Sequence, residues 1–201
     1  MSIKDAKKNY VVETAKVLFL EKSISSVTLK DIADTAGIGE ATVYRYFKTR
    51  AELVIECAMS LQSDVSKEFS DSVSSSDGYG RLKKFYGAFL KLFVQRKELY
   101  RFLNEFDAFC ITAGEERLNE YSDNLDSFKT VFDEAYSSGI KDGSVRPVTD
   151  PETFYYSTTH SLLLLCKKHS TQSVFRQDKV SGGEKEIKLL IDMILSALKS
   201  K

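Results

Sequence analysis

A short predicted helix near the end of the first quarter of the chain carries side chains suited to contacting nucleic acid. Its apolar residues Val43 and Phe47 lie one turn apart and define a buried side. Thr42, Arg45 and Tyr46 are left on the outer side of that helix. Hydroxyl and guanidinium groups in such a position can reach base edges and phosphates.

The element before this helix is predicted to be a second short helix, joined to it by a glycine-containing turn. Thr28 precedes an apolar series with i, i+3, i+4, i+7 spacing, and its hydroxyl, together with Asp31, can cap the new helix. Gly37 and Gly39 follow, where the chain must turn. This is the layout of a helix-turn-helix, whose second helix enters the DNA major groove. A plain helical hairpin would show the same periodicity.

Helical periodicity extends through the rest of the chain and predicts an all-α fold. Thr49 and Glu52 form a capping box that opens a fourth helix. About nine helices are predicted in total, over residues 4–21, 29–36, 40–47, 50–69, 79–95, about 99–109, 116–138, 153–169 and 184–200. The breaks between the later ones are predicted at the serine-rich residues 70–78, at 137–151 and at 181–183. We predict a helix-turn-helix domain over 1–50 and a larger helical domain over 51–201.

Composition and length exclude several classes of protein. The chain has 201 residues, of which 42% are apolar and 29% charged, so it has the composition of a globular protein and not of a disordered one. The longest apolar run covers only residues 162–166, too short to span a membrane, and the first residues do not form a secretory signal. The three cysteines form no CxxC pair. We therefore expect a cytoplasmic protein with reduced thiols and no membrane partner.

Charge is distributed unevenly although the net charge is zero. Residues 1–50 contain nine basic and six acidic side chains, so the remainder of the chain carries the compensating negative excess. A mildly basic N-terminal region suits contact with phosphates, although a difference of this size also arises by chance.

Enzymatic and metal chemistry find little support in the sequence. The chain contains no GxSxG, P-loop, GxGxxG or HExxH motif, so no catalytic residues and no cofactor are expected. Cys166 and His169 are three residues apart on a predicted helix, but His160 does not align clearly with them. Two ligands do not make a site, and no metal is expected.

The run from Thr28 to Leu53 resembles the TetR family of bacterial transcriptional regulators. The resemblance rests on motifs in register: the threonine-led helix, an Ile-Ala pair, an Ala-Gly turn, Thr-x-Tyr-x-x-Phe over 42–47 and a trailing Glu-Leu. It covers roughly residues 8–55. It implies a homodimer with two DNA-binding heads and a C-terminal domain that binds a small molecule and forms the dimer. Most members of the family are repressors that release DNA when the ligand binds.

The resemblance also implies which side chains contact double-stranded operator DNA. Tyr44 and Tyr46 would offer hydroxyls to phosphates, and Arg45 is the candidate for reading a guanine through its bidentate fork. The full set of predicted DNA-binding residues is Thr28, Thr42, Tyr44, Arg45, Tyr46, Lys48 and Arg50. Glu40 departs from the family, in which basic or small residues are common at this position. Three alternatives are open for this carboxylate: it contacts a cytosine amino group, it stabilises the helix N-terminus, or it weakens DNA binding.

Aromatic residues are dense on three consecutive predicted helices of the C-terminal region. Such residues usually form the core, but a bundle can also hold a ligand between its helices. We predict an apolar or aromatic effector contacted by Phe106, Phe109, Phe128, Phe132, Tyr155 and Thr159.

Two later helices are predicted to pair across a dimer interface. Residues 161–166 are apolar all round, and the last helix has an apolar seam. The predicted interface residues are Leu162, Leu165, Ile187, Ile191, Ile194 and Leu198, and a single buried core helix is the alternative.

The favoured function is a ligand-responsive regulator that binds a palindromic operator as a dimer. Because most members of the resembled family are repressors, we expect a repressor that a small molecule releases from DNA. The alternative is a helical small-molecule-binding or scaffold protein without specific DNA binding.

Overall fold

The computed structural model describes residues 3–70, 77–113, 118–171 and 182–200, and this part of the chain folds into nine α-helices. Their bounds are α1 Ile3–Glu21, α2 Leu29–Ala36, α3 Glu40–Tyr46, α4 Arg50–Ser70, α5 Gly78–Gln95, α6 Lys97–Ala113, α7 Leu118–Asp142, α8 Pro151–Ser170 and α9 Gly183–Leu198. The predicted all-α fold class is confirmed. Most of the predicted break at 70–78 lies outside the described residues, as do residue 181 and the predicted start of a helix at 116. The predicted break at 137–151 begins later in the structure, because α7 continues to Asp142.

The chain divides into two compact units, each built from two stretches of sequence. Unit 1 contains residues 1–64 and 101–124, and unit 2 contains residues 65–100 and 125–201. The division at residue 50, which concerns function, stays a prediction. The compact units follow packing instead, because the first part of α4 and most of α6 pack with the N-terminal helices.

The core of unit 1 forms where the apolar sides of the first three helices meet. Ala15 and Phe19 lie one turn apart on α1 and are both buried. Ile32 of α2 and Val43 of α3 are buried too. Phe47 directly follows α3 and is also buried. Full burial of a valine, isoleucine or phenylalanine side chain stabilises the fold by about 1.5–3 kcal/mol relative to an exposed one. The outer side of α3 is thereby fixed as the side opposite this core.

Local capping sets the ends of the short helices. The Thr28 hydroxyl accepts the amide of Asp31 at 3.1 Å, and an Asp31 carboxylate oxygen accepts the amide of Thr28 at 2.8 Å. This is the predicted capping box. Gly37 ends α2 with a φ of 67°, a left-handed conformation that favours glycine. The Thr49 hydroxyl accepts the amide of Glu52 at 3.1 Å at the start of α4, as predicted.

Unit 2 is organised by aromatic rings and by the packing of α5, α8 and α9. Phe85, Phe132 and Tyr155 come from three different helices, with ring centroids 5.1–6.3 Å apart. Residues on the inner sides of α8 and α9 complete the core. None of the helices in the described part of the chain combines the length and apolarity needed to cross a membrane.

Acid sensitivity of unit 2 is expected from the cap of α8. The Asp150 carboxylate accepts the amide of Thr153 at 3.0 Å and also the Thr153 hydroxyl, and these bonds lower the pKa of Asp150 from its ordinary value of 3.8. Because the folded-state pKa is the lower one, the stabilisation is present above about pH 4 and disappears as the pH falls through the lowered value. We expect Asp150→Ser, which keeps a cap without this titration, to lose less stability below pH 4 in urea unfolding. Equal losses in the two proteins would contradict this.

Candidate nucleic-acid interface and regulatory residues

The outer side of α3 presents a guanidinium and a phenol to solvent. Tyr44 is 49% exposed, and Arg45 is also exposed. The Arg45 guanidinium carbon lies 5.5 Å from the centroid of the Tyr46 ring, so the arginine is supported by its neighbour while its hydrogen-bond donors remain accessible. Thr42 is half-buried, as is Tyr46. These positions match the predicted DNA-contacting side of the helix, and their contacts with DNA stay a prediction.

The segment between α3 and α4 adds a cation beside that surface. Lys48 is exposed, and its main-chain amide donates to the Glu52 carboxylate at 2.8 Å. That bond fixes the backbone of Lys48 and leaves its ammonium group to solvent. Glu40, the first residue of α3, is also exposed. A carboxylate there suits the positive end of the helix dipole, whatever its effect on DNA.

Two of the predicted DNA contacts have partners inside unit 1. The Thr28 hydroxyl donates its proton to the Asp31 carboxylate at 2.6 Å, so a phosphate would compete with that carboxylate for it. Arg50 is half-buried, and its guanidinium donates to the main-chain carbonyls of Val27, at 3.1 Å, and Ile24. Burial lowers the pKa of Arg50. The two residues therefore have a structural role in holding the segment before α2, and their contact with phosphate stays a prediction.

One side of α6 contacts the end of α1, the segment that joins α1 to α2, and the start of α4. This side of α6 was not predicted from the sequence. Arg101 donates to the carbonyl of Leu20 in the last turn of α1, where carbonyls lack helical partners. One turn later, the Glu105 carboxylate accepts the amide of Ile24 at 2.6 Å. One turn further, the Phe109 ring lies 5.9 Å from the Arg50 guanidinium carbon. The i, i+4, i+8 spacing was the available signal, but it does not reveal the partners.

A second connection within unit 1 joins α1 to α4 through a buried ammonium group. Lys16 is only 7% exposed, and its Nζ donates to Glu13, Ser60 and Asp64 at 2.9–3.0 Å. Burial opposes its charge, but these hydrogen bonds and the two carboxylates raise the pKa of Lys16 overall. The ammonium group therefore stays charged at neutral pH and ties α4 to the first helix.

The six predicted effector residues do not fall in one compact unit. Phe106 and Phe109 belong to unit 1, where the Phe106 ring packs on Tyr121 with centroids 5.1 Å apart. Phe128, Phe132, Tyr155 and Thr159 belong to unit 2. The two residues of α6 therefore belong to a different compact unit from the four residues of α7 and α8.

Three of the four predicted effector residues of unit 2, Phe128, Phe132 and Tyr155, belong to a larger aromatic cluster. Phe132 is fully buried, Tyr155 is 7% exposed, and their ring centroids lie 5.1 Å apart. The Thr159 hydroxyl donates to the Tyr155 carbonyl at 2.7 Å, so it is occupied within α8. The Tyr86 and Thr158 hydroxyls lie 2.8 Å apart and give the cluster a polar pair. Binding of an effector by these residues stays a prediction.

The predicted dimer-interface residues instead form much of the core of unit 2. Leu162, Ile187 and Leu198 have no exposed surface, while Ile191 and Ile194 are each 6% exposed. These five residues therefore pack within one protomer, and their contact with a second copy stays a prediction. Leu165 is the sixth and is half-buried.

The exposed apolar residues of the same two helices were missed. Leu164 of α8 and Leu189 and Met193 of α9 are 62%, 61% and 62% exposed. Leu189 and Met193 are one turn apart and therefore share a side of α9. We refer to Leu164, Leu189 and Met193 as the outer apolar face. Each was visible in the sequence, but the burial of its helix was needed to place it outside.

The Cys57 thiol and the His169 imidazole have structural partners. The Cys57 thiol is fully buried and donates to the Val12 carbonyl at 3.6 Å, and burial raises its pKa, as it raises the pKa of Cys166 to about 12. Both are therefore unreactive thiols at neutral pH. His169 is 5% exposed, and its Nε2 lies 3.0 Å from the Glu186 carboxylate. Within the described ranges, no group of three or more potential metal ligands is found.

The architecture around α2 and α3 defines a class of protein. Two short helices, a left-handed glycine between them and a second helix that presents Arg45 and Tyr44 outward make a helix-turn-helix head of a DNA-binding regulator.

Comparison with known proteins places this head in a family. Residues 11–57 match the family model "Bacterial regulatory proteins, tetR family". The HTH-type transcriptional repressor KstR2 of Mycobacterium tuberculosis is 23% identical over 153 residues, covering 75% of each chain. The N-terminal head therefore matches the TetR family, and the chain is similar to TetR-family transcriptional regulators.

Solved structures share the fold over nearly the whole length. A putative transcriptional regulator from Saccharomonospora viridis in complex with choline is 17% identical, with a TM-score of 0.79 over 98% of this chain and 100% of that one. FadR from Bacillus subtilis in complex with stearoyl-CoA is 15% identical, with a TM-score of 0.69 over 94% and 97%. At these identities the likeness concerns the fold alone.

Proposed function

We propose that the protein is a repressor that binds a palindromic operator as a homodimer and releases it when an apolar effector binds. The observation that carries the proposal is the exposed side of α3, where Arg45 and Tyr44 are displayed beside Lys48. Two such heads related by a two-fold axis would read two half-sites in opposite directions, which is a palindrome. Such a regulator acts in the compartment that holds the chromosome, which in a bacterium is the cytoplasm.

Binding to DNA from immediately upstream of the gene tests the proposal. We expect fluorescence anisotropy to show tighter binding to this fragment than to scrambled DNA of equal length. The affinity should fall steeply as salt increases, since phosphate contacts release counterions. Weak binding that is indifferent to sequence at every salt concentration would favour the alternative, a helical small-molecule-binding protein.

The outer apolar face supports the homodimer. Leu164, Leu189 and Met193 are each more than half exposed. Leu189 and Met193 lie one turn apart on α9, and contiguous exposed apolar surface marks interaction sites. A two-fold axis would pair the face with the same face of a second protomer, so that each of its residues would be buried in both protomers. The proposed interface therefore uses the same helices as the sequence prediction but a different side of them.

The aromatic cluster of unit 2 supports an apolar effector. Phe132 and Tyr155 provide ring faces, and the hydroxyl pair of Tyr86 and Thr158 is a polar group that an effector could contact. Effector pockets combine mostly apolar walls with a few polar groups of this kind. KstR2 is described as a ketosteroid regulator and FadR was solved with stearoyl-CoA, so sterol-like and acyl compounds are reasonable probes.

A thermal-shift experiment tests the effector class with three named probes. We expect androstenedione or stearoyl-CoA to raise the melting temperature by several degrees, because a ligand present at about 100 times its Kd stabilises by about 2.7 kcal/mol. Choline is the polar comparison. The stabilising probe should also release the upstream DNA. A shift with choline alone, or a shift without release of DNA, would contradict the proposal.

Glu105 is expected to hold the DNA-binding head in the conformation that binds the operator. It lies on α6, a helix that begins in unit 2 and continues in unit 1, and its carboxylate holds the amide of Ile24. Glu105→Ala leaves that amide without its partner, at a cost of about 1.5 kcal/mol or more. We expect operator affinity to fall about tenfold because the head is less well positioned. Glu105→Gln should retain most of the affinity.

The matched control is Asn104→Ala on the exposed side of the same helix. It should leave operator binding unchanged. Equal losses for Asn104→Ala and Glu105→Ala would show that general destabilisation of α6, and not the bond to Ile24, causes the effect.

A further inference from the structure

A surface depression of about 420 Å³ in unit 2 brings together three cations from distant parts of the sequence. Lys83 comes from α5, Arg146 from the segment between α7 and α8, and Lys199 from the end of α9. The complete lining is Tyr79, Lys83, Arg146, Asp192, Leu195, Ser196, Lys199 and Ser200. All of these residues belong to unit 2.

The backbone that carries the cations is held firmly at this point. The amide of Arg146 donates to the Leu198 carbonyl at 2.9 Å, and the amide of Ser200 donates to the Ser144 carbonyl at 3.2 Å. The amide of Tyr79 donates to the Ser144 hydroxyl at 3.0 Å, which joins the start of α5 to the same segment. Lys83 lies one turn further along α5.

A close approach of two glycines reinforces this frame. A Cβ on Gly78 would lie 2.1 Å from the Gly139 nitrogen, so α5 and α7 meet with no room for side chains. Buried Val145 packs against Gly139 on the other side. The fold therefore fixes the backbone from which the three exposed cations enter the depression.

The cations of the depression outnumber the carboxylates among its described lining residues. Asp192 is the one carboxylate in the lining, and it lies 2.7 Å from Lys188 Nζ. Among the described residues, no carboxylate forms an ion pair with Lys83, Arg146 or Lys199. The Nε of Arg146 donates to the Ala197 carbonyl, which orients the guanidinium and leaves its terminal nitrogens available. Like charges gathered in this way repel one another, and a bound anion would relieve the repulsion.

We propose that this depression binds a small molecule carrying at least two oxyanion groups, such as phosphates or carboxylates. Its volume is within the range of small-molecule sites, and an arginine with two lysines is suited to binding more than one oxyanion. None of its lining residues belongs to the aromatic cluster, so its ligand would be a second one, distinct in chemistry from the proposed apolar effector.

Calorimetric titration at constant ionic strength tests the site with inorganic pyrophosphate and, in a parallel arm, citrate. The two arms distinguish a phosphate ligand from a carboxylate ligand. Lys83→Gln/Lys199→Gln removes two cations and keeps Arg146, whose Nε supports the fold. We expect at least one of the anions to bind, and the double variant to bind it at least about tenfold more weakly.

The matched control is Lys30→Gln/Lys185→Gln, which removes two exposed lysines outside the depression. It should bind the anion like the natural protein. The proposal is overturned if neither anion binds at about 1 mM. It is also overturned if the two double variants lose affinity equally, because general attraction to positive charge would then explain the binding. Circular dichroism of both variants establishes that each remains folded.

Discussion

Replacing Leu189 and Met193 by glutamate is expected to convert the dimer into monomers and to lower operator affinity by about 100-fold or more. Both side chains are more than 60% exposed in one protomer, so the charges do not disturb its core. A two-fold axis would place four carboxylates in the proposed interface, and each would lose water without gaining a partner. Monomers would bind half-sites singly, without the gain in affinity that comes from two linked heads.

Sedimentation and anisotropy check the two parts of this prediction separately. Sedimentation equilibrium should report the mass of one chain for the double variant and of two chains for the natural protein. The control is Val94→Glu, which places the same charge on another exposed apolar residue of unit 2, 58% exposed. It should remain dimeric. A double variant that stays dimeric would show that the outer apolar face is not the interface.

Arg45→Ala is expected to remove most of the preference for operator over scrambled DNA. A bidentate contact with guanine is worth about 1–3 kcal/mol, and a dimer would lose it in both heads. The affinity for the operator should therefore fall by about 30-fold or more. Non-specific binding should change much less, because it depends on phosphate contacts made by other residues.

Lys48→Ala is the matched comparison for Arg45→Ala. Lys48 is exposed beside α3 but outside that helix, and its backbone is held by Glu52. Its loss should weaken binding to operator and scrambled DNA to the same extent and reduce the salt slope by about one unit per head. If Arg45→Ala behaves in that way too, Arg45 contacts phosphate and does not read a base.

Features that depend on neighbouring residues were predictable from the sequence. The capping box of Thr28 with Asp31 and the left-handed turn at Gly37 involve groups within a few residues of one another. Their geometry follows from residue type and spacing, since a cap needs only a short side chain and free amides at a helix start. The bounds of α2 and the outward position of Arg45 follow from the same local rules.

The partners of Arg50 and Glu105 were not predictable. Arg50 looks like a phosphate-binding cation in sequence, yet its guanidinium holds carbonyls 23 and 26 residues earlier in the chain. Glu105 binds an amide 81 residues away. Nothing in the local pattern distinguishes such residues from solvated ones, because packing of distant helices creates the partner.

The sequence by itself determined that this chain is helical, where its head turns and which side of α3 faces outward. Tertiary structure decided which sides of α8 and α9 are buried: Leu162 and Ile187 lie in the core, and Leu164 and Leu189 lie on the surface. The apolar series of α9 is visible in the sequence, but periodicity does not tell whether it packs within its own protomer or against a second copy. Only the neighbouring helices decide this, because they bury Leu162 and Ile187 within the protomer.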